Sequence, residues 1–132
     1  MTDAQRATLV DILSESIGWL HHGCCVGVDE QAHWLAFEMG TGSVGHPPVD
    51  QRLMMSMTDD GLQFIHLHDP KPYHDRNRDI VDACELLIAV PEHDREQPKG
   101  GTWYTVRYAR QVEREHVIIW PDGRPHRVAG AS

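Results

Sequence analysis

The sequence predicts an α/β fold: a mostly parallel sheet covered by helices, in three layers. Three observations carry this. Helical spacing and short apolar runs alternate along the chain. The runs Leu86-Leu87-Ile88-Ala89-Val90 and His116-Val117-Ile118-Ile119-Trp120 are apolar at successive positions, as in strands buried on both faces. Loops rich in glycine or charge stand at Gly23–Asp29, Tyr73–Asp79 and Lys99–Thr105. In parallel sheets such loops, beyond the carboxyl ends of the strands, hold ligands.

The first helix is capped by Thr2 or Asp3. It carries Leu9, Ile12, Leu13 and Ile17 at helical spacing and stops at Gly18. Trp19–His22 reads as a short buried strand. Asp29 caps a second helix, with Ala32, Leu35, Ala36 and Met39 on one face and Gly40 and Gly42 behind it. Ser43–His46 is a weak strand stopped by Pro47-Pro48, and a helical turn is expected at Leu53-Met54-Met55. Leu62–Leu67 alternates as a strand and Asp69–Pro72 is a loop. Arg76–Cys84 returns to helical spacing, Leu86–Val90 is a strand, and Glu92–Lys99 is a charged loop. A last helix spans about Thr102–Arg114 and a last strand His116–Trp120. Residues 1–121 form a single domain on this reading, and residues 122–132 form a loose polar tail.

Composition narrows the function. With 132 residues, 40% of them apolar, the chain can bury a real core. A net charge of -8 argues against general duplex binding, which needs a basic surface. No apolar run is long enough to span a bilayer. The amino terminus, Met-Thr-Asp-Ala-Gln-Arg, is not a signal peptide. Cys24, Cys25 and Cys84 are odd in number and lack C-x-x-C spacing, so free thiols and a cytoplasmic setting are expected. The ten histidines include His66 and His68 on one side of a strand, but none has zinc-site spacing, so no metal is expected. No other cofactor is indicated.

The strongest local signal is Lys99-Gly100-Gly101-Thr102-Trp103-Tyr104-Thr105. A strand, a glycine pair and a helix start make an anion seat, because free N–H groups and the positive helix end face one point. Thr102 adds a hydroxyl, and Tyr104 an aromatic face for a base. In the second loop Arg76 and Arg78 can hold phosphate through paired N–H groups, and Asn77 can hydrogen-bond a base, a ribose or a neighbouring loop. In the first, Gly23 and Gly27 make the strand-to-helix turn, and Asp29 stands ready for hydroxyls or amines. Each motif also has a structural role as turn or cap. Their convergence on one sheet edge favours a binding site.

Three stretches resemble the SLOG superfamily, the Rossmann-like group that includes DprA-type and LOG-type proteins, and especially its small stand-alone members of the YspA/YpsA-related kind. These are His22-Gly23-Cys24-Cys25-Val26-Gly27-Val28-Asp29 with Ala32-His33, Arg76-Asn77-Arg78-Asp79 through Ala83, and Gly100-Gly101-Thr102-Trp103. The resemblance covers roughly residues 20–121. It implies a Rossmann-like sandwich that binds a nucleotide or nucleotide-derived ligand as a sensor or signalling domain, by analogy in phage or defence signalling. Phosphate would fall on Gly100, Gly101 and Thr102, charge neutralisation on Arg76, and the ribose or base side on Gly23, Gly27 and Asp29. LOG-type relatives cleave the N-glycosidic bond of nucleoside monophosphates, and Arg76 is the matching catalytic arginine. Their glutamate falls at Thr105 here, which leaves Asp29 or Glu38 as the available carboxylates. Such proteins also open on a central apolar strand, whereas this chain opens on the helix that follows it. The expectation is a start internal to a longer reading frame, or exposed sheet edges that favour a homodimer or higher oligomer. An oligomeric interaction protein with a vestigial pocket is the third alternative.

Overall fold

The computed structural model describes residues 1–15, 18–56 and 64–131. In chain order it has α1 (Asp3–Glu15), β1 (Leu20–His22), α2 (Val28–Glu38), β2 (Ser43–Gly45), β3 (Phe64–Leu67) and α3 (Tyr73–Ala83). Then come β4 (Leu87–Ala89), α4 (Gly101–Gln111), β5 (His116–Ile119) and β6 (Pro125–Val128). The fold is α/β and mostly parallel. Strands β1, β2 and β3 form one parallel sheet; in a second, β4 and β5 are parallel and β6 returns antiparallel. No ladder joins β1 to β4 among the described residues.

Side-chain alternation along β4 and β5 creates the three layers. Leu87, Ala89 and Ile118 pack with Val81 of α3 and Trp103, Val106 and Ala109 of α4. Ile88 and Ile119 point the other way, into a cluster with Leu9 and Leu13 of α1 and Ala32 and Leu35 of α2. Leu20 of β1 joins this second cluster. The same helix layer therefore covers parts of both sheets.

Thr2 caps α1 reciprocally. Its hydroxyl accepts the Gln5 N–H at 3.0 Å, and Gln5 Oε1 accepts the Thr2 N–H at 2.9 Å. Gln5 Nε2 then donates to the carbonyls of Pro91 and Ile119, which fixes α1 to the ends of β4 and β5.

Several expectations are corrected. The tail after residue 121 is not loose throughout: Pro125–Val128 pairs with β5 from Ile119 back to His116. Leu53–Met55 is not helical but lies along the first loop, with Met54 bridging Cys25, Val26 N–H donating to Leu53 and Met55 N–H to Cys24. The third helix starts at Tyr73, ahead of the expected Arg76. Neither Asp29 nor Thr102 caps a helix, because Gly27 and Gly100 hold those positions. Ile17, Asp60, Leu62 and Gln63 lie outside the described residues. No helix among the described residues is long and apolar enough to cross a membrane.

Candidate functional site

Arg76 is the centre of the site. Helix α3 buries it to 6% exposure, and its guanidinium reaches across to the first loop. Nη1 donates to the Gly23 carbonyl and, at 3.1 Å, to the His46 carbonyl. Nε donates to Asn77 Oδ1 at 2.7 Å, while Nη2 faces only the Cys25 sulfur, 4.0 Å away. The cation also lies 5.3 Å from the Tyr73 ring centroid. Among the described residues no carboxylate lies within ion-pairing distance of it. A buried guanidinium whose hydrogen bonds go to neutral partners, with the Asp29 carboxylate across Gly23 but not in direct contact, keeps a positive field at this place.

The first loop is shaped around this cation. A Cβ at Gly23 would fall on the guanidinium, 2.7 Å from its central carbon, so only glycine admits the contact. Cys24 is fully buried with φ of +59°, a conformation that costs a non-glycine residue free energy. The pairing with Leu53–Met55 holds it there. Asp29 is half-buried as a residue, but its carboxylate turns inward and accepts the Cys25 N–H at 3.3 Å. Burial pushes its acid up, against the pull of the Cys25 and Gly23 amides and of Arg76. Burial pushes the Cys24 thiol up to about 12 and raises Cys25 as well, so neither is an activated nucleophile.

Asn77 links the cation to the glycine loop. Its amide oxygen is engaged by Arg76, and its Nδ2 lies 3.7 Å from where a Cβ on Gly101 would stand. Helix α4 begins at Gly101 without a side-chain cap, and its first ladder bond runs from Tyr104 N–H to the Gly100 carbonyl. The N–H groups of Gly101, Thr102 and Trp103 precede that bond and are free by helix geometry. Gly100 has φ of +109° and ψ of +151°, a region open essentially to glycine alone. Gly100→Ala should therefore lower stability by about 1–3 kcal/mol in denaturant titration.

The structure thus brings Gly23, Asp29, Arg76, Asn77 and Gly101 into one connected group. Gly27 forms the start of α2 beside it, and Gly100 and Thr102 flank Gly101 on the exposed surface. Tyr104 stacks on His74. Other candidates are drawn elsewhere. Arg78 turns outward to Asp75, and Trp103 is core. Arg107 pins the preceding loop through Glu96 and the carbonyls of Gln97 and Pro98. Thr105 bonds back to the Gly101 carbonyl, and Glu38 ends α2, about 15 Å along the helix from its start. Asp29 is then the nearest carboxylate, and it is held by backbone amides.

His46 was not legible as a contributor, because its backbone carbonyl and not its ring meets Arg76. Its ring belongs to an imidazole layer on one face of the first sheet. His21 Nδ1 lies 2.9 Å from His46 Nε2, His46 stacks on His68 at 4.4 Å, and His68 meets His66 edge-on. On the opposite face His22 meets His33 of α2 at 3.0 Å. Among the described residues no three ligating side chains are grouped to hold a metal ion.

An open volume of about 580 Å³ lies elsewhere, on the outer side of α3 between Lys71, Asp75, Arg78, Asp79, Asp82 and Tyr108. Its carboxylates are already engaged by Lys71, Arg78 and the Tyr108 hydroxyl. An acidic groove of this kind does not suit a phosphate, so the chemistry points to the Arg76 group instead. Comparison of the chain with family models, curated proteins and solved structures found no match.

Proposed function

We propose that this chain is a SLOG-like domain that binds a nucleotide or nucleotide-derived ligand, with the phosphate at the start of α4. The observation that carries this reading is the buried Arg76, held by neutral hydrogen-bond partners without a direct ion pair and joined through Asn77 to the uncapped helix start at Gly101. The amides of Gly101 and Thr102, the Thr102 hydroxyl and Asn77 Nδ2 supply the direct contacts. Arg76 supplies charge from behind, since three of its hydrogen bonds go to Asn77, Gly23 and His46. Gly23 and Asp29 act by holding Arg76 and its loop in place.

Gly101→Asp separates binding from folding. The position has room, and a carboxylate in the first turn favours the helix by about 0.3–1 kcal/mol. The same charge repels phosphate. Thermal stability should stay level or rise, while the Kd for AMP, measured by calorimetry, should rise at least about tenfold. Equal affinity for AMP in the variant and the parent would sink the assignment.

Nothing in the geometry favours the N-glycosidic hydrolase over a binding domain. Thr105 offers no carboxylate, and the Asp29 acid is held inside the loop. Incubation with nucleoside monophosphates should release no free base; chromatographic detection of base would restore the enzyme reading.

A further inference from the structure

His66 lies in β3, and His68 follows directly after its end. Two residues apart on an extended backbone, their side chains leave the same face of the sheet. The backbone is pinned at both positions. His66 pairs with Val44, and the His68 N–H donates to the Gly45 carbonyl at 2.9 Å. Leu67 between them covers Gly45, beside Cys24 and Phe64. Both imidazoles are exposed, and neither makes a hydrogen bond to protein among the described residues. Their ring centroids are 4.5 Å apart, with the planes at 88°. His46 stacks on His68 at 4.4 Å and 18° from parallel, which steadies the plane of that ring.

That spacing has a chemical meaning. An imidazole nitrogen binds zinc at about 2.0–2.1 Å, which puts the centre of its ring about 3.2 Å from the ion. With ligands about 90–110° apart, the centres of two such rings lie about 4.5–5.2 Å from each other. The His66–His68 separation falls at the short end of that range.

We propose that His66 and His68 form a two-imidazole chelate for a first-row divalent transition-metal ion, of the nickel, copper or zinc class, on the edge strand of the first sheet. Water takes the remaining coordination positions, since no third ligating side chain among the described residues is grouped with the pair. The zinc-site spacings absent from the sequence belong to sites of three or four protein ligands, and a chelate of two needs neither. Nitrogen donors select this class of ion over Mg²⁺ and Ca²⁺, which take oxygen. The net charge of -8 favours the approach of any cation, so the imidazoles and not the field supply the selectivity.

The test titrates the full chain with nickel chloride, which does not oxidise the free thiols of Cys24, Cys25 and Cys84. Calorimetry should find one Ni²⁺ per chain, undisplaced by excess Mg²⁺. His66→Gln and His68→Gln should each weaken binding at least about tenfold, as loss of a group that merely orients a metal ligand already does. His126→Gln, at an exposed imidazole on β6, should leave it unchanged. Both ligands are exposed, so neither substitution should move the melting temperature of the metal-free protein. In NMR spectra of the parent, Ni²⁺ should broaden the His66 and His68 ring resonances first and spare those of His126. That pattern decides the question even if a variant proves unstable. Absence of binding, affinity that survives either substitution, displacement by Mg²⁺ or broadening centred on another histidine overturns the chelate and leaves two solvated surface imidazoles.

Discussion

Arg76→Ala should lose about 3–5 kcal/mol of folding stability and all measurable affinity for nucleotide. The buried carbonyls of Gly23 and His46 would each lose a donor, at about 1–3 kcal/mol apiece, and a cavity would open beneath them. These contacts join α3 to two separate loops, so one side chain holds three segments together. Arg76→Lys retains the charge but cannot serve Gly23, His46 and Asn77 from one planar group. It should recover part of the affinity and little of the stability. Urea unfolding with AMP titration separates the two effects, and a fully stable Arg76→Ala protein would show that the clamp is incidental. Gly23→Ala tests the same clamp from the other side, because the added methyl group must displace the guanidinium.

Mild acid should unfold the protein cooperatively. His22 is buried, and its Nδ1 accepts the Cys24 N–H, so the ring is neutral with its proton on Nε2, directed at His33 Nδ1. Burial first, then His33, His46 and Arg76, push His22 down to about 3; burial and His68 push His46 down to about 4. Both values lie below the ordinary imidazole range near 6.5, so the unfolded chain binds more protons as pH falls. The stabilisation is complete above about pH 6.5 and is lost progressively below it. His22 alone accounts for about 2 kcal/mol between about pH 6.5 and 5, and His46 acts in the same direction. Urea midpoints at three pH values read this directly. A midpoint that does not move between about pH 7 and 5 would contradict neutral, buried imidazoles.

The local elements were legible because their signals are local. Apolar residues at helical spacing marked α1 and α2, and continuous apolar runs marked β4 and β5. Thr2 was one of two caps the sequence offered, with Asp3, and the structure chose it through its reciprocal bonds with Gln5. Trp103 fell in the core, where helical spacing allowed it. Strand β6 was not legible, since Pro125-His126-Arg127-Val128 is exposed along its length and has no apolar face to betray it. Leu53–Met55 was misread because its apolar residues follow no period; its partner is the Cys24–Val26 backbone, about thirty residues away in sequence.

The sequence by itself determined the alternating layers and the glycine loop at the start of α4; the three loops expected at one sheet edge follow strands of two separate sheets. The layers and the glycine loop depend on residues within a turn or two of one another. Only the tertiary structure decided what Arg76 does. Its type and position suggested a hand for phosphate, but the fold turns it inward onto carbonyls 30 and 53 residues away. The imidazole layer arises in the same way, from strands whose register places His21, His46, His66 and His68 on one face. Burial and register are properties of the packed whole, and they convert residues that look like ligands into the frame that holds the ligand site.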